Sequence, residues 1–318
     1  MRIVFMGTPS FAVPSLHALV DAGYEVVAVV TQPDRPKGRK KVLTPPPVKE
    51  AALALNIPVL QPEKLRAPEA VAELAQYKPD LIVTAAYGQI LPKAVLDLPQ
   101  HKCINVHGSL LPKYRGGAPI QRSIINGETE TGVTIMYMAE GLDTGDMLSK
   151  VVLPITDEDT AGTIFEKLSG LGATLLLETL PKLIAGELTA IPQNHDEATY
   201  APNLTRDDEK INWHNTARAI FNQVRGLNPM AGCFTYLNGE VFKVWQSSVL
   251  NDKAPTDYVP GQIISATTDG IVVQTGAGQL LLTIIQPAGK RMMPIADWVQ
   301  GAKAIVGRTF EEGLTNES

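Results

Sequence analysis

Four continuous apolar runs punctuate the first third of the chain: RIVFMG (2–7), EVVAVVT (25–31), DLIVTAAYG (80–88) and CINVHG (103–108). None alternates strictly with polar residues, which is the pattern of a strand covered on both faces. Between them lie stretches of helical spacing. Ser10 to Ala22 follows a capping serine, Pro47 to Leu55 forms a short helix, and Ala67 to Gln76 forms a third, closed by Lys78-Pro79. Strands of this kind alternating with helices predict a parallel, doubly wound α/β sheet. The turn after the first run, MGTPSFA, lacks GxGxxG, so no dinucleotide is inferred.

Further along, TGVTIMYM (131–138) and LSKVVLPI (148–155) predict two more strands, with GLDTGDML (141–148) turning between them. Ile164, Leu168, Leu171 and Leu175 recur at helical spacing within Thr160 to Gly186, where Pro181 predicts a kink. The stretch QNHDEATYAPNLTRDDEK (193–210) is polar and without period. The expected division is therefore 1–189 for the first domain, 190–208 for a linker and 209–318 for the second. Within the second, His214 to Arg225 predicts a helix. The runs CFTYLNGEVFKVWQ (233–246) and GQIISATTDGIVVQTGAGQLLLTIIQ (261–286) predict short strands, with hairpin turns at Asn238-Gly239 and Asp269-Gly270. Close-set short strands predict a small β-barrel.

At 318 residues, with 44% hydrophobic and 19% charged residues, the chain is long enough for two such cores. The start, MRIVFMGTPS, reads as a first strand and not as a signal peptide. No apolar run approaches the roughly 20 residues of a membrane span, so no membrane association is expected. Two distant cysteines, Cys103 and Cys233, form no disulfide or zinc framework and predict reduced thiols in a cytoplasmic protein. The net charge of −5 argues against a generally basic nucleic-acid binder, but its distribution changes that picture. Residues 1–208 carry 19 basic and 24 acidic side chains, and residues 209–318 carry 9 of each. Within the acidic part, Gln32 to Lys49 holds six cations and one acid, a local positive field that can meet a polyanion.

The candidate chemistry lies in INVHGSLLPKYRGGAPI (104–120). Alternation puts Asn105 and His107 on one side of a strand, just before a turn rich in proline and glycine. In parallel α/β sheets, ligands collect at the carboxyl ends of the strands. Asp143, in its own glycine-containing turn, could join them. An amide donor, an imidazole and a carboxylate suit acyl transfer, since the amide can donate to a developing oxyanion and the imidazole can move a proton. Each residue alone also has an ordinary use: a structural histidine, an asparagine closing a strand end, an aspartate in an Asx turn. No residue cluster predicts a metal site.

The segment INVHGSLLPKYRGGAPI, followed by ETGVTIMYM and GLDTGDML, closely resembles the folate-dependent formyltransferases. Further likeness in TQPDRPKGRKK, AYGQILPKAVL and IQPAGKRMM is to the branch that formylates methionyl initiator tRNA. The resemblance implies a Rossmann-like catalytic domain and an OB-like barrel that contacts tRNA. It implies Asn105, His107 and Asp143 as the catalytic set and 10-formyltetrahydrofolate as the formyl donor, with no metal. Ser109, Leu110, Leu111 and Pro112 would contact the folate, and Tyr87, Gly88, Gln89, Ile90 and Leu91 would line its pteridine. Arg35, Lys37, Arg39, Lys40 and Lys41 would meet the tRNA, Arg39 foremost, from a loop expected to form neither helix nor strand. In the barrel, Lys243, Lys290 and Arg291 are the available cations, of which Lys290 and Arg291 are assigned to tRNA. No stable protein partner is implied. Two rivals are weighed: a formyltransferase for a small amine such as glycinamide ribonucleotide, and a folate- or tRNA-binding protein without catalysis.

Overall fold

The computed structural model describes residues 1–38, 40–253, 257–299 and 305–311. They form two compact units. The first comprises Met1–Pro119, Glu130–Pro154 and Phe165–Pro202, and the second Ile120–Thr129, Ile155–Ile164 and Asn203 onward. Two short excursions of the earlier chain, 120–129 and 155–164, cluster with the later part. Residues of such excursions gain their neighbours from distant sequence, which composition does not record.

The first unit is built on a seven-stranded sheet. Its strands are β1 (Arg2–Gly7), β2 (Glu25–Val30), β5 (Val59–Leu60), β6 (Leu81–Ala85), β7 (Cys103–His107), β8 (Glu130–Tyr137) and β9 (Met147–Pro154). Their order is β5-β2-β1-β6-β7-β8-β9. The first five are parallel, while β8 and β9 are antiparallel, giving the mostly parallel, Rossmann-like sheet expected. Chain progression reverses between β1 and β6, so the crevice outside the carboxyl ends of these strands is the natural ligand position. Helices α1 (Val13–Asp21), α2 (Pro47–Ala54) and α3 (Pro68–Ala75) arise where the apolar spacing placed them. A short α4 (Lys93–Leu96) precedes β7, and α5 (Pro119–Ile125), which clusters with the second unit from Ile120, follows it in the chain; neither has a pattern long enough to be read from sequence. Helix α6 (Ala161–Ile184) continues through Pro181 into its last turn. A Cβ added at Gly172 of α6 would come within 2.9 Å of Val106, so glycine lets this helix lie close against β7. Val106 thus faces α6, and by alternation Asn105 and His107 face the other side.

The basic segment differs from expectation. Arg35–Lys37 (β3) pairs antiparallel with Val42–Thr44 (β4), with Lys41 N–H donating to the Gly38 carbonyl (3.1 Å) in the turn. Its proline is no obstacle, because a two-stranded ribbon has an edge on which the missing N–H faces solvent. The base of this hairpin is anchored. Lys49 Nζ donates to both carboxyl oxygens of Asp34 (2.9 and 3.0 Å), and Gln61 donates to the same group (2.7 Å). The bond from Gln61, then that from Lys49, holds the Asp34 carboxyl below its ordinary range.

In the second unit, α7 (Arg206–Glu209) and α8 (Ala217–Leu227) precede β10 (Cys233–Leu237), β11 (Glu240–Asn251), β12 (Ile263–Thr267), β13 (Gly270–Gln274), β14 (Gln279–Pro287) and β15 (Met293–Pro294). A short α9 (Ile295–Val299) follows. The antiparallel order is β10-β11-β14-β13-β12, with β15 on β14. Among the described residues the expected barrel is not closed by pairing of the named strands: β10 and β12 are the two ends of the order. The described stretch 305–311 reaches both. Ile263 N–H donates to Arg308 O (2.8 Å), and Tyr236 and Glu311 exchange backbone bonds (3.1 and 2.9 Å). Covering exposed edges this way removes unpaired backbone groups. Its core centres on Trp213, whose ring stacks on Phe310 (5.4 Å between centroids) while its indole N–H donates to Thr235 (3.0 Å).

Candidate active site

Asn105 and His107 are both buried at the carboxyl end of β7, opposite Met136 and Thr134 of β8. Oδ1 of Asn105 accepts from the buried Thr84 hydroxyl (2.8 Å), which lies across the β6–β7 pair. With its oxygen held, the Asn105 amide has its nitrogen left to donate. Nε2 of His107 lies 2.9 Å from the Tyr114 carbonyl, and Nδ1 lies 3.7 Å from Oδ2 of Asp143. Both ring nitrogens therefore face oxygen acceptors. A neutral imidazole can donate from one only; a ring donating to both carries the positive charge.

Asp143 occupies the turn between β8 and β9 with φ +49°, a left-handed conformation that aspartate tolerates better than most residues. Its Oδ2 also accepts from Gly116 N–H (2.8 Å). Gly116 itself has φ +116°, and a Cβ there would stand 2.8 Å from the Ala201 carbonyl, so glycine is required on both counts. The glycine-rich pattern around 116 is thus an instruction for bringing the 112–118 turn against Asp143. The three residues singled out from sequence meet at one place.

The Tyr87–Leu91 segment leaves the carboxyl end of β6, beside the point of sheet reversal. Tyr87 and Leu91 are buried in the core, whereas Ile90 between them is 80% exposed. The buried Tyr87 hydroxyl has no hydrogen-bond partner among the described residues, and burial pushes its ionisation up. Gly88 adopts φ +91°, and Gln89 is tied to Leu65 N–H (2.7 Å) and the Pro62 carbonyl (3.0 Å). In the Ser109–Pro112 segment the carbonyls are already engaged. Ser109 O accepts from Thr134 (2.7 Å), Leu110 O from Lys113 N–H (3.2 Å), Leu111 O from Lys150 Nζ and Pro112 O from Thr199 N–H (3.4 Å). The Leu111 side chain packs with Met136 and Met147, leaving half-buried Leu110 and Pro112 as its more accessible side chains.

Of the basic residues, Arg35, Lys37, Lys40 and Lys41 are exposed on the β3–β4 hairpin, Arg35 in an ion pair with Glu63 (3.0 Å). Arg39 lies outside the described residues. Lys290 and Arg291 are exposed after β14. Lys243 differs from its expected availability. Its ammonium donates to the Ala231 carbonyl (2.8 Å) and lies 5.2 Å from the Trp245 ring centroid. Cys103, two residues before Asn105, is buried with its thiol pushed up to about 12 by desolvation, as suits a core residue and not a nucleophile. Among the described residues no group of His, Cys, Asp and Glu could hold a metal, and no helix is long and apolar enough to cross a membrane.

Sequence reasoning missed two residues here. Arg115 and Gln193 are nearly fully buried polar side chains. Gln193 came from a stretch whose polarity marked it as linker, and only its burial reveals it.

Two family models match the chain: Formyl transferase over residues 1–180, and Formyl transferase, C-terminal domain, over residues 203–303. The methionyl-tRNA formyltransferase of Bacillus subtilis (strain 168) is 55% identical over 317 residues, covering 99% of each chain. Two solved structures share the fold at low identity. The sugar 3N-formyl transferase WlaRD, in the presence of dTDP and 5-N-formyl-THF, gives a TM-score of 0.67 at 20% identity, covering 92% of this chain and 99% of its own. HypX from Aquifex aeolicus in complex with tetrahydrofolic acid gives 0.64 at 18% identity, covering 94% of this chain and 47% of its own. The end-to-end match, on a chain whose β7 carries Asn105 and His107 and whose β8–β9 turn brings Asp143 to His107, makes it a member of the formyl transferase family and, within it, of the methionyl-tRNA formyltransferases.

Proposed function

We propose that the protein transfers the formyl group of 10-formyltetrahydrofolate to the α-amino group of methionyl initiator tRNA, with Asn105, His107 and Asp143 as its catalytic set. The observation that carries this reading is the convergence of those three side chains at the carboxyl end of β7. The full-length match to methionyl-tRNA formyltransferases favours the tRNA acceptor over glycinamide ribonucleotide. A binding protein without catalysis would have no need of this combination of amide, imidazole and carboxylate.

Bound folate supplies the formyl group at this site. Residues available to hold it fit a flat, partly apolar ring: Ile90 presents an apolar side chain to solvent beside the strand ends, and the Tyr87 hydroxyl is an unpartnered polar atom close in sequence. Leu110 and Pro112 offer further apolar surface. The Asn105 amide donates to the formyl oxygen as negative charge builds on it during attack by the amine. His107 gives up its bond to the Tyr114 carbonyl and shuttles a proton to the leaving nitrogen, the proton lost by the attacking amine making up the balance. Asp143, 3.7 Å from Nδ1, keeps the ring oriented from that side. Exposed cations of the β3–β4 hairpin, together with Arg39 of the same stretch of sequence and with Lys290 and Arg291 in the second domain, meet tRNA phosphates. We take 1–189 as the catalytic domain, 190–208 as the linker and 209–318 as the tRNA-contacting domain.

The test is to incubate the protein with the formyl donor and methionyl-tRNA, glycinamide ribonucleotide or no acceptor, and identify the formylated product. Formylmethionyl-tRNA is expected. His107→Ala should lower turnover about 10²–10⁴-fold while folate binding changes little. A variant with near-normal turnover would remove His107 from the mechanism.

A further inference from the structure

Gln193 uses every hydrogen-bonding valence of its amide in a buried position. Oε1 accepts from Nε (3.0 Å) and one terminal nitrogen (2.8 Å) of Arg115, while Nε2 donates to the carbonyls of Asp143 and Gly145 (2.8 Å each). Arg115 is a pure donor and the two carbonyls are pure acceptors, so the amide has one possible orientation. No other side chain of this length meets the same need. Glutamate could pair with Arg115 but could not donate to the turn, and a hydrocarbon could do neither.

The same stretch of chain also grips the opposite partner of His107. Thr199 Oγ1 accepts from Tyr114 N–H (2.9 Å), Arg115 N–H donates to Thr199 O (2.9 Å), and Ala201 N–H donates to Arg115 O (2.6 Å). His107 thus stands between a carboxylate and a carbonyl, Asp143 and Tyr114, and residues 193–201 hold the backbone of both. We infer that Gln193 is a positioning residue for formyl transfer: held by Arg115, it fixes the Asp143 turn at the distance from His107 that the reaction needs. The inference rests on the reading of Asn105, His107 and Asp143 as the catalytic set. Its physical basis is that a carboxylate 3.7 Å from an imidazole nitrogen lies just beyond hydrogen-bond range. A small shift of the turn therefore decides whether the pair forms, and misplacements of about 1 Å cost on the order of 10²-fold in rate.

The experiment compares Gln193→Glu, which keeps a partner for Arg115, with Gln193→Met, which keeps length without polar atoms, each alone and with Asp143→Ala. Asp143→Ala and His107→Ala are measured beside them in the full-length protein. A positioning role predicts that either Gln193 variant lowers kcat about 10- to 100-fold with the Michaelis constants for folate and methionyl-tRNA within about twofold. It further predicts no added loss when Asp143 is already alanine, because the effect passes through that side chain. Whichever of the two variants stays folded by near-UV circular dichroism decides the matter, and failure of both to fold would assign Gln193 to stability and overturn the inference. Unchanged kcat, or losses that multiply with Asp143→Ala, would also overturn it. If His107→Ala and Asp143→Ala themselves retain turnover, the catalytic reading fails instead, and the two failures are told apart.

Discussion

The Thr84 hydroxyl lies 2.8 Å from Oδ1 of Asn105 and 3.1 Å from the Ile104 carbonyl, fully buried between adjacent parallel strands. This single group decides which end of the asparagine amide is committed to the protein and which can face a reacting oxygen. Thr84→Val keeps the shape and removes the bond. The expected result is a several-fold to about tenfold loss of kcat, since a donor that is no longer preorganised stabilises charge less well. Steady-state kinetics would check this, and a variant with wild-type kcat would show that Asn105 is oriented by something else.

Asp143→Asn keeps a side-chain acceptor for Gly116 N–H while removing the charge facing His107. Turnover should fall by about 10²-fold, within the range for a disturbed proton-transfer group. The fold should be intact by circular dichroism, because the turn keeps its other bonds to Gln193. Turnover unchanged across pH 5–9 would argue that the carboxylate has no part in the reaction.

Replacing Lys37, Lys40 and Lys41 together by alanine removes three exposed cations from the β3–β4 hairpin without touching its anchor at Asp34 and Lys49. The Michaelis constant for methionyl-tRNA should rise. Its logarithmic salt dependence should flatten by up to about 0.9 for each phosphate no longer neutralised. Folate affinity should stay near wild type. An unchanged salt slope would mean that the RNA is held elsewhere.

In the second unit, Arg122 grips Asp208 through both terminal nitrogens (2.6 and 3.0 Å), and Asp208 also closes a capping box with Thr205. The bond from Arg122 is the largest influence holding the Asp208 carboxyl below its ordinary value, against an opposing effect of burial. A carboxyl lowered in the folded state contributes stability that is present above its unfolded value of about 3.9 and is lost as pH falls through the folded value. Asp208→Asn should therefore cost about 1 kcal/mol at pH 7, discounted for partial exposure, and less at pH 3, where part of the contribution is already lost. Urea denaturation at both values checks it; an equal cost at both would assign the effect to shape and not to charge.

The strands β1, β2, β6 and β7 and the helices α1, α2, α3 and α6 were legible because their signals are local. A continuous apolar run or a 3.6-residue spacing is written within the element itself. The same-side placement of Asn105 and His107 follows from a period of two, which needs no tertiary information. The hairpin of β3 and β4 was not legible, because its strands are three residues each and exposed, with no buried face to leave a pattern. Lys243 looked free in sequence and is engaged by a carbonyl that sequence distance hid.

Sequence alone also determined the residue types available at the site, since an amide, an imidazole and a carboxylate can be named without coordinates. Only the tertiary structure decided their distances, because the Asp143 turn reaches His107 through bonds to a residue 50 positions later in the chain. Gln193 shows why. Its polarity is identical in a solvated linker and in a buried clamp, and the difference lies entirely in which distant donors and acceptors surround it. Periodicity reports how an element meets the core, but a polar side chain declares its role only through partners that folding brings to it.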